Sequence, residues 1–443
     1  MMAIDKITGY KHIAPLAVLR IAFGAVMFIS TARFILNGWV KDFYITPQYH
    51  FPFYGFEWVH TLGSNGMYTL YAVMLAAALC VTLGLFYRVA IAIFLTCFCY
   101  AELIDKTYYL NHYYLVSVMA FLLLLTPAHG YFSLDVLRKA KKKVTMVPAW
   151  TINIFRLQLC IVYFYAGLSK LTYDWLINAM PLTIWLHAKD TTPVIGPLFR
   201  LQWTPHFFSW AGALFDLSIP FLLLNKRTQK WAYLVVIIFH ILTAILFQIG
   251  IFPYIMMAST LIFFPEDFHQ KLLAFFSKDH HPRPLPLLIP AVRRRLIYIV
   301  LSAWFILQLL LPIRFLLYPG RLLWTEEGYR FSWRVMLMEK GGTTFFYVKN
   351  PATGRKFEVN NAQFLTRYQE RMMETQPDML LQYAHILHDF YAQQGMPDPV
   401  VTVASYVTLN GSGSRLYIDS TVNLAHENES WFGHKTWILP FKK

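Results

Sequence analysis

The residues able to do chemistry in this chain are few, and most sit in apolar company. Arg20, Arg33, Glu102, Asp105, Arg156, Lys170, Asp216 and His240 fall in long apolar stretches, with Lys106 and His112 at the edge of one. A charge at membrane depth is costly, so each such residue is a functional-site hypothesis unless it has a structural partner. Arg156 and Asp216 are expected to pair with each other between two helices, Arg20 to snorkel, and His240 to be a hydrogen-bonded core histidine. Lys170 stands apart. It closes the run Tyr163-Phe164-Tyr165-Ala166-Gly167-Leu168-Ser169-Lys170, 14 residues after Arg156, or ~21 Å along a helix. Tyr163, Gly167 and Lys170 share one helical face, and Gly167 leaves room beside the amine. Two readings stand: a lysine snorkelling at a helix end, or an amine that desolvation keeps neutral and able to act as a general base. His112 opens another apolar stretch at the same membrane face. It is either an interfacial histidine or a second polar group converging on the level of Lys170.

The elements that must hold these residues follow from composition. Of the 443 residues 57% are hydrophobic and only 14% charged, with a mean hydropathy of +0.42. Soluble proteins carry about 25% charged residues, so lipid must be the solvent for much of this surface. Apolar runs near 13–36, 67–87, 89–105, 112–128, 150–171, 206–224, 231–249, 250–265 and 296–318 predict about nine helical spans. Basic clusters lie at Lys6 and Lys11, at Arg138 to Lys143, at Lys226 to Lys230, and at Arg283 and Arg293 to Arg295. Nine spans with a cytoplasmic N-terminus put all four on the cytoplasmic side, as the positive-inside rule asks. The net charge of +15 is thus accounted for without nucleic acid, for which no basic, aromatic-interleaved soluble surface is present. The N-terminal segment reads as an uncleaved signal anchor. Cys80, Cys97, Cys99 and Cys160 all lie in apolar runs and predict packing rather than metal or disulfide chemistry. The loops at 37–66 and 172–205 are rich in Tyr, Phe and Trp, consistent with an interfacial aromatic belt or with a lid over a lipid-derived substrate.

The character changes after Pro319. Strands are predicted over Thr343–Lys349, Arg355–Val359, Val400–Leu409 and Arg415–Ile418, and helices over Asn361–Met373 and Asp378–Gln394. The expected architecture is therefore a polytopic α-helical membrane domain over 1–318 and a C-terminal α+β soluble domain over 319–443 on the outer side. Phosphate-cradling glycine loops, His-Glu-x-x-His pairs and Gly-x-Ser-x-Gly elbows are all missing from the sequence. His280 and His281, in a Pro-rich cytoplasmic loop, read as solvated.

With Asp105-Lys106-Thr107…Asn111-His112, Tyr163 to Leu171, Asp174-Trp175, Asp216-Leu217-Ser218, Phe239-His240 and Ile249-Gly250-Ile251-Phe252, the sequence resembles the vitamin K-dependent γ-glutamyl carboxylase family. The likeness continues through Gly328-Tyr329…Ser332-Trp333 and Asp378-Met379-Leu380…Gln382-Tyr383-Ala384. It implies a membrane enzyme of the carbon–carbon lyase class. Reduced vitamin K (the hydroquinone) is its co-substrate, O₂ and CO₂ are consumed, and no metal is needed. Lys170 would deprotonate the hydroquinone. Reaction with O₂ would give an alkoxide basic enough to take the γ-proton of a glutamate, whose carbanion captures CO₂ while the quinone leaves as its 2,3-epoxide. His112 would act beside the reacting centre, and Asn111, Tyr109, Asp105 and Tyr163 would bind substrate. The implied partners are membrane lipid, a lipophilic quinone and a glutamate-containing peptide or protein.

Ser169 stands where the animal enzymes have a second lysine. Tyr49 stands where they have the cysteine that ties the outer loop to the lumenal region. The chain also stops short of the animal enzymes' longer lumenal part. A compact bacterial homologue of the inner membrane is expected (an ER membrane protein if eukaryotic). An epoxidase with a different acceptor or none, and a non-catalytic quinone- or lipid-binding module, remain alternatives.

Overall fold

A computed structural model describes residues 9–247, 249–276 and 285–442. Lys6, Arg283, His280 and His281 lie outside the described residues. In chain order the membrane part comprises β1 (Tyr10–His12), α1 (Ala14–Leu36), α2 (Gly63–Leu83), α3 (Tyr87–Ile104), α4 (Asn111–Leu125), β2 (Met146–Pro148), α5 (Trp150–Leu168), α6 (Trp203–Leu224), α7 (Gln229–Leu246), α8 (Phe252–Thr260) and α9 (Ala291–Leu310). Among the described residues, seven helices are long and apolar enough to cross a membrane: α1, α2, α3, α5, α6, α7 and α9, the last running on to Leu317. The stretches read as spans at 112–128 and 250–265 are shorter. The 15 residues of α4 reach only about 22 Å, against a hydrocarbon core of about 30 Å. The Lys106–Tyr108 turn delays the start of α4 and Pro127 follows its end, while Pro253 opens α8 only after the turn at Gly250. The helices pack as neighbours along the chain, α1 on α2, α2 on α3 and α5 on α6, and α8 returns to α1.

Two cations in apolar helices, one buried and one part-buried, find partners that composition did not reveal. Arg20 does not snorkel. It is fully buried and donates to the carbonyls of Ala128, Tyr131 and Phe132, which follow α4. Arg156 does not meet Asp216. Its guanidinium donates to the carbonyls of Ile262, Phe263 and Phe264, which α8 and its 3-10 extension leave without helical donors. The four cysteines are free and partly buried in helices.

The C-terminal part contains β3 (Lys340–Lys349), β4 (Lys356–Glu358), α10 (Arg367–Met373), α11 (Pro377–Gln393), β5 (Val400–Leu409) and β6 (Arg415–Leu416). The strands form one antiparallel sheet in the order β4-β3-β5-β6. The helix expected over 361–373 is broken. A short 3-10 turn ends at Gln363, and Thr366 restarts the helix with a capping box to Gln369. The apolar face of α11 (Met379, Leu380, Tyr383, Ala384, Leu387) packs with Phe346, Val348, Val401 and Val403 of the sheet.

This core is not closed by C-terminal residues alone. Phe51, from the loop between α1 and α2, is fully buried in it. Gln369 Nε2 donates to the Tyr49 carbonyl at 2.8 Å and Gln382 Nε2 to the Pro52 carbonyl at 3.0 Å. Tyr108 stacks on Tyr368. The aromatic loop thus docks the C-terminal domain onto the membrane part. A buried charge cluster reinforces the junction: Asp378 Oδ2 lies 2.9 Å from Lys106 Nζ and 2.5 Å from Arg330 Nη1. Burial alone would raise the Asp378 carboxyl, but Arg330 and Lys106 together hold it well below the usual carboxylate range.

Candidate active site

Lys170 lies just past the end of α5, at the end of that helix nearest the C-terminal domain, and only 7% of it is exposed. It does not snorkel. Its Nζ sits 2.7 Å from Asp216 Oδ2 and 3.3 Å from the Ala166 carbonyl, and 5.5 Å from the centre of the Trp175 ring. The partner expected for Arg156 therefore belongs to Lys170. Local sequence explains this. A Cβ on Gly167 would lie 2.7 Å from Leu217 Cγ and 2.9 Å from the Leu217 backbone nitrogen. Only glycine lets α5 and α6 approach this closely, and the residue before Leu217 is Asp216. Pro220, inside α6, withholds the amide that a regular helix would give the Asp216 carbonyl, which loosens the helix at that turn. Trp175 is fixed as the third wall: its Nε1 donates to the Ser209 carbonyl at 2.8 Å, and Ser209 Oγ donates back to the Trp175 carbonyl.

From this pair a chain of aromatic and polar groups leads to His112. Phe215, beside Asp216, packs edge-on against Tyr163. The Tyr163 hydroxyl lies 3.3 Å from His240 Nε2. His240 meets Phe252 with ring centres 5.6 Å apart, and Phe252 meets His112 at 6.1 Å. His112 is buried, and among the described residues its Nε2 has no hydrogen-bond partner; nor has His240 Nδ1. Gly250, at φ +60°, passes close enough that a Cβ there would lie 3.5 Å from His112 Nε2. Lys170 and His112 do not hydrogen-bond to each other. Both nevertheless border one apolar cluster, in which unpartnered imidazole nitrogens await a polar group.

The remaining expected site residues divide. Tyr163 belongs to the cluster. Tyr109 and Asn111 hold its edge: the Tyr109 hydroxyl accepts from the Phe331 amide at 2.8 Å and donates to Asn111 Oδ1 at 3.2 Å, while Asn111 Nδ2 donates to the Arg334 carbonyl at 2.8 Å. Asp105 stands elsewhere, at the docking junction. It caps the Lys106–Tyr108 turn through the Thr107 amide and meets His50 Nδ1 and Gln369 Nε2. The pairing of Asp216 with Lys170 rather than Arg156, and the placement of His240 beside Tyr163, depend on the register between helices.

Ser169 and Leu171, on either side of Lys170, line a largely apolar cavity of about 760 Å³ between the end of α5, the Pro312–Leu316 segment and the C-terminal domain. A second, more polar cavity of about 430 Å³ shares Tyr173, Asp174, Arg321 and Phe441 with it and adds Asn410 and Arg415. The Arg321–Asp174 ion pair lies on this shared wall. Phe441 is there too, with the Arg321 and Arg415 guanidinium carbons 4.7 and 4.8 Å from its ring centre.

The HTTM domain family matches residues 10–268, and the lumenal domain of vitamin K-dependent gamma-carboxylase matches residues 293–443. The chain belongs to the vitamin K-dependent gamma-carboxylase family. Helices α1 to α8 carry the HTTM match, and the docked sheet domain together with α9 carries the lumenal-domain match. No solved structure matches the chain. Among the described residues no group of three or more His, Cys, Asp or Glu side chains is placed to hold a metal ion.

Proposed function

We propose that the protein couples oxygenation of vitamin K hydroquinone to its 2,3-epoxide with γ-carboxylation of glutamate, using Lys170 as base and the C-terminal domain on the periplasmic or lumenal side of the membrane. The observation that carries this is the sealed Lys170–Asp216 pair behind the wall of an apolar cavity. The hydroquinone supplies the acidic hydroxyl and the reducing electrons, O₂ the epoxide oxygen and CO₂ the new carboxyl; the chain supplies a base, orientation and shelter from water.

Lys170, as the free amine, takes a proton from the hydroquinone hydroxyl. Asp216 stabilises the ammonium that forms, since a buried cation with a hydrogen-bonded carboxylate costs far less than one alone. The helical contact at Gly167 keeps the two at hydrogen-bond distance throughout. The apolar walls (Leu168, Leu171, Ile313, Leu316) suit a lipophilic quinone and exclude water that would quench a strong base. His112 and His240 line neither cavity; beyond Tyr163 from Lys170, each holds a buried ring nitrogen without a partner among the described residues. The adjoining polar cavity, with Arg321 and Arg415, suits the carboxylate of a glutamate side chain.

The test is turnover by the purified protein in detergent with reduced vitamin K, O₂, labelled bicarbonate and a glutamate-containing peptide. Epoxide and labelled peptide together are expected. Epoxide without label would leave only the epoxidase half, and neither product would sink the proposal. Lys170→Ala should abolish epoxide formation, with partial return on adding a small amine. Unchanged turnover in that variant would refute Lys170 as the base.

A further inference from the structure

On the face opposite the C-terminal domain, four apolar helices begin or end together: α3 starts at Tyr87, α4 ends at Leu125, α5 starts at Trp150 and α9 starts at Ala291. Between them is a cavity of about 540 Å³. Arg88, His129, Lys141, Lys142 and Arg293 line it, and among the described residues no carboxylate does. Asp135, outside the lining, lies 3.6 Å from Lys142 Nζ, and its two oxygens already accept from the Phe86 and Tyr87 amides. Two nitrogens at the cavity, His129 Nδ1 and Trp150 Nε1, are buried without a hydrogen-bond partner among the described residues. Burial, then the charges of Arg88, Lys142 and Arg20, push His129 down to about 4, so its ring is neutral there and the lysines and arginines provide the charge. Concentrated positive charge together with two unanswered nitrogens calls for an anion with several oxygens.

The rest of the wall says what that anion is attached to. Leu287, Ile289 and Ile297 line the same cavity, with Leu288 beside them 81% exposed. The exposed apolar surface continues along α9 through Val292, Leu296 and Ile299. A shallow groove there also carries Arg294 and Arg295. A free phosphate would answer the charges and leave this apolar path uncovered. We propose that the cavity binds the phosphate headgroup of an anionic phospholipid, with its acyl chains lying along α9. The site is remote from Lys170, and the proposal stands independently of the reaction above.

The experiment uses the full chain purified in detergent. Lipid retention is followed by native mass spectrometry and lipid protection by thermal unfolding, with phosphatidylglycerol, phosphatidylcholine and inorganic phosphate as probes. Phosphatidylglycerol should be retained and should raise the unfolding temperature; the other two should do neither at equal concentration. Lys141→Gln/Lys142→Gln/Arg293→Gln should weaken phosphatidylglycerol binding on the order of a hundredfold, at about 1 kcal/mol per surface charge. All three residues are exposed, so the fold does not depend on them. Trp150→Phe, which keeps the ring and removes the donor, should weaken binding severalfold. Equal retention of the two lipids, or wild-type lipid preference in both variants, would overturn the proposal. Protection by inorganic phosphate equal to that by phosphatidylglycerol would also overturn it, since the site would then serve a soluble anion.

Discussion

Replacing Gly167 with alanine probes whether helix contact sets the Lys170–Asp216 distance. The new Cβ would stand 2.7 Å from Leu217 Cγ and 2.9 Å from Leu217 Cδ2 and its backbone nitrogen. A leucine side chain can turn aside, but a backbone nitrogen cannot. Restoring an ordinary contact needs α6 to move by about 0.5–0.7 Å against α5, and such overpacking costs about 1–3 kcal/mol. Asp216 moves with Leu217, so its 2.7 Å bond to Lys170 Nζ opens towards the limit of hydrogen bonding near ~3.3 Å. A hydrogen bond to a charged group contributes about 1.5–3 kcal/mol, and each 1.36 kcal/mol is tenfold in rate. Gly167→Ala should therefore slow epoxide formation at saturating hydroquinone by roughly ten- to a hundredfold and lower the unfolding temperature. Adding Leu217→Ala removes the side-chain part of the clash and should recover some of both. Full turnover and unchanged stability in Gly167→Ala would show that the close approach does not position the pair.

Three further outcomes can be measured. Asp216→Asn leaves Lys170 without a carboxylate; epoxide formation should fall at least tenfold while a quinone analogue still binds, and equal turnover would remove Asp216 from the mechanism. Gly250→Ala puts a side chain on a left-handed residue beside His112 Nε2 and should impair turnover more than it impairs expression, read as specific activity per folded protein; normal specific activity would argue against a role for that imidazole. Asp378→Asn strands two buried cations and should cost about 3–5 kcal/mol. Because the Asp378 carboxyl is held below its unfolded value, its contribution is complete above the ordinary carboxylate range near ~pH 4 and is lost as pH falls below that. Wild-type unfolding temperature should therefore drop between about pH 5 and 3 more steeply than that of Asp378→Asn, and identical slopes would refute the assignment.

Much of this fold is legible in the sequence, for reasons of length and period. Apolar runs of spanning length mark α1, α2, α3, α5, α6, α7 and α9 because lipid leaves no other way to satisfy their backbone. Alternation marks β3 and β5, whereas the break before Thr366 is missed, since helical pattern continues across it. The failures share one cause. Arg156 and Lys170 lie near the two ends of one helix, and either was a plausible partner for Asp216. Choosing requires the relative shift of α5 and α6, which is set where Gly167 meets Leu217, a contact between residues 50 positions apart. Arg156 and Arg20 were misjudged because their partners are carbonyls at distant helix ends, which no side-chain pattern announces. Asp105 was drawn into the candidate site by its neighbours in sequence, whereas its side chain faces the C-terminal domain. Lys170, His112 and Tyr163 could be singled out because charge, imidazole and phenol are conspicuous in apolar runs; what surrounds them was not.

The seating of Phe51 inside the C-terminal core has a consequence for how the molecule is made. The hydrogen bonds that hold its neighbours Tyr49 and Pro52 come from residues 320 and 330 positions later. At roughly 5–20 residues per second of synthesis, this loop waits on the order of 15–65 s for its partners. During that interval every intervening helix must insert while the loop's aromatic side chains stay uncovered. The loop can be buried only once the last strand has emerged on its side of the membrane, so docking marks the final step of assembly, and a stalled or truncated chain would present this loop to the machinery that removes unfinished proteins.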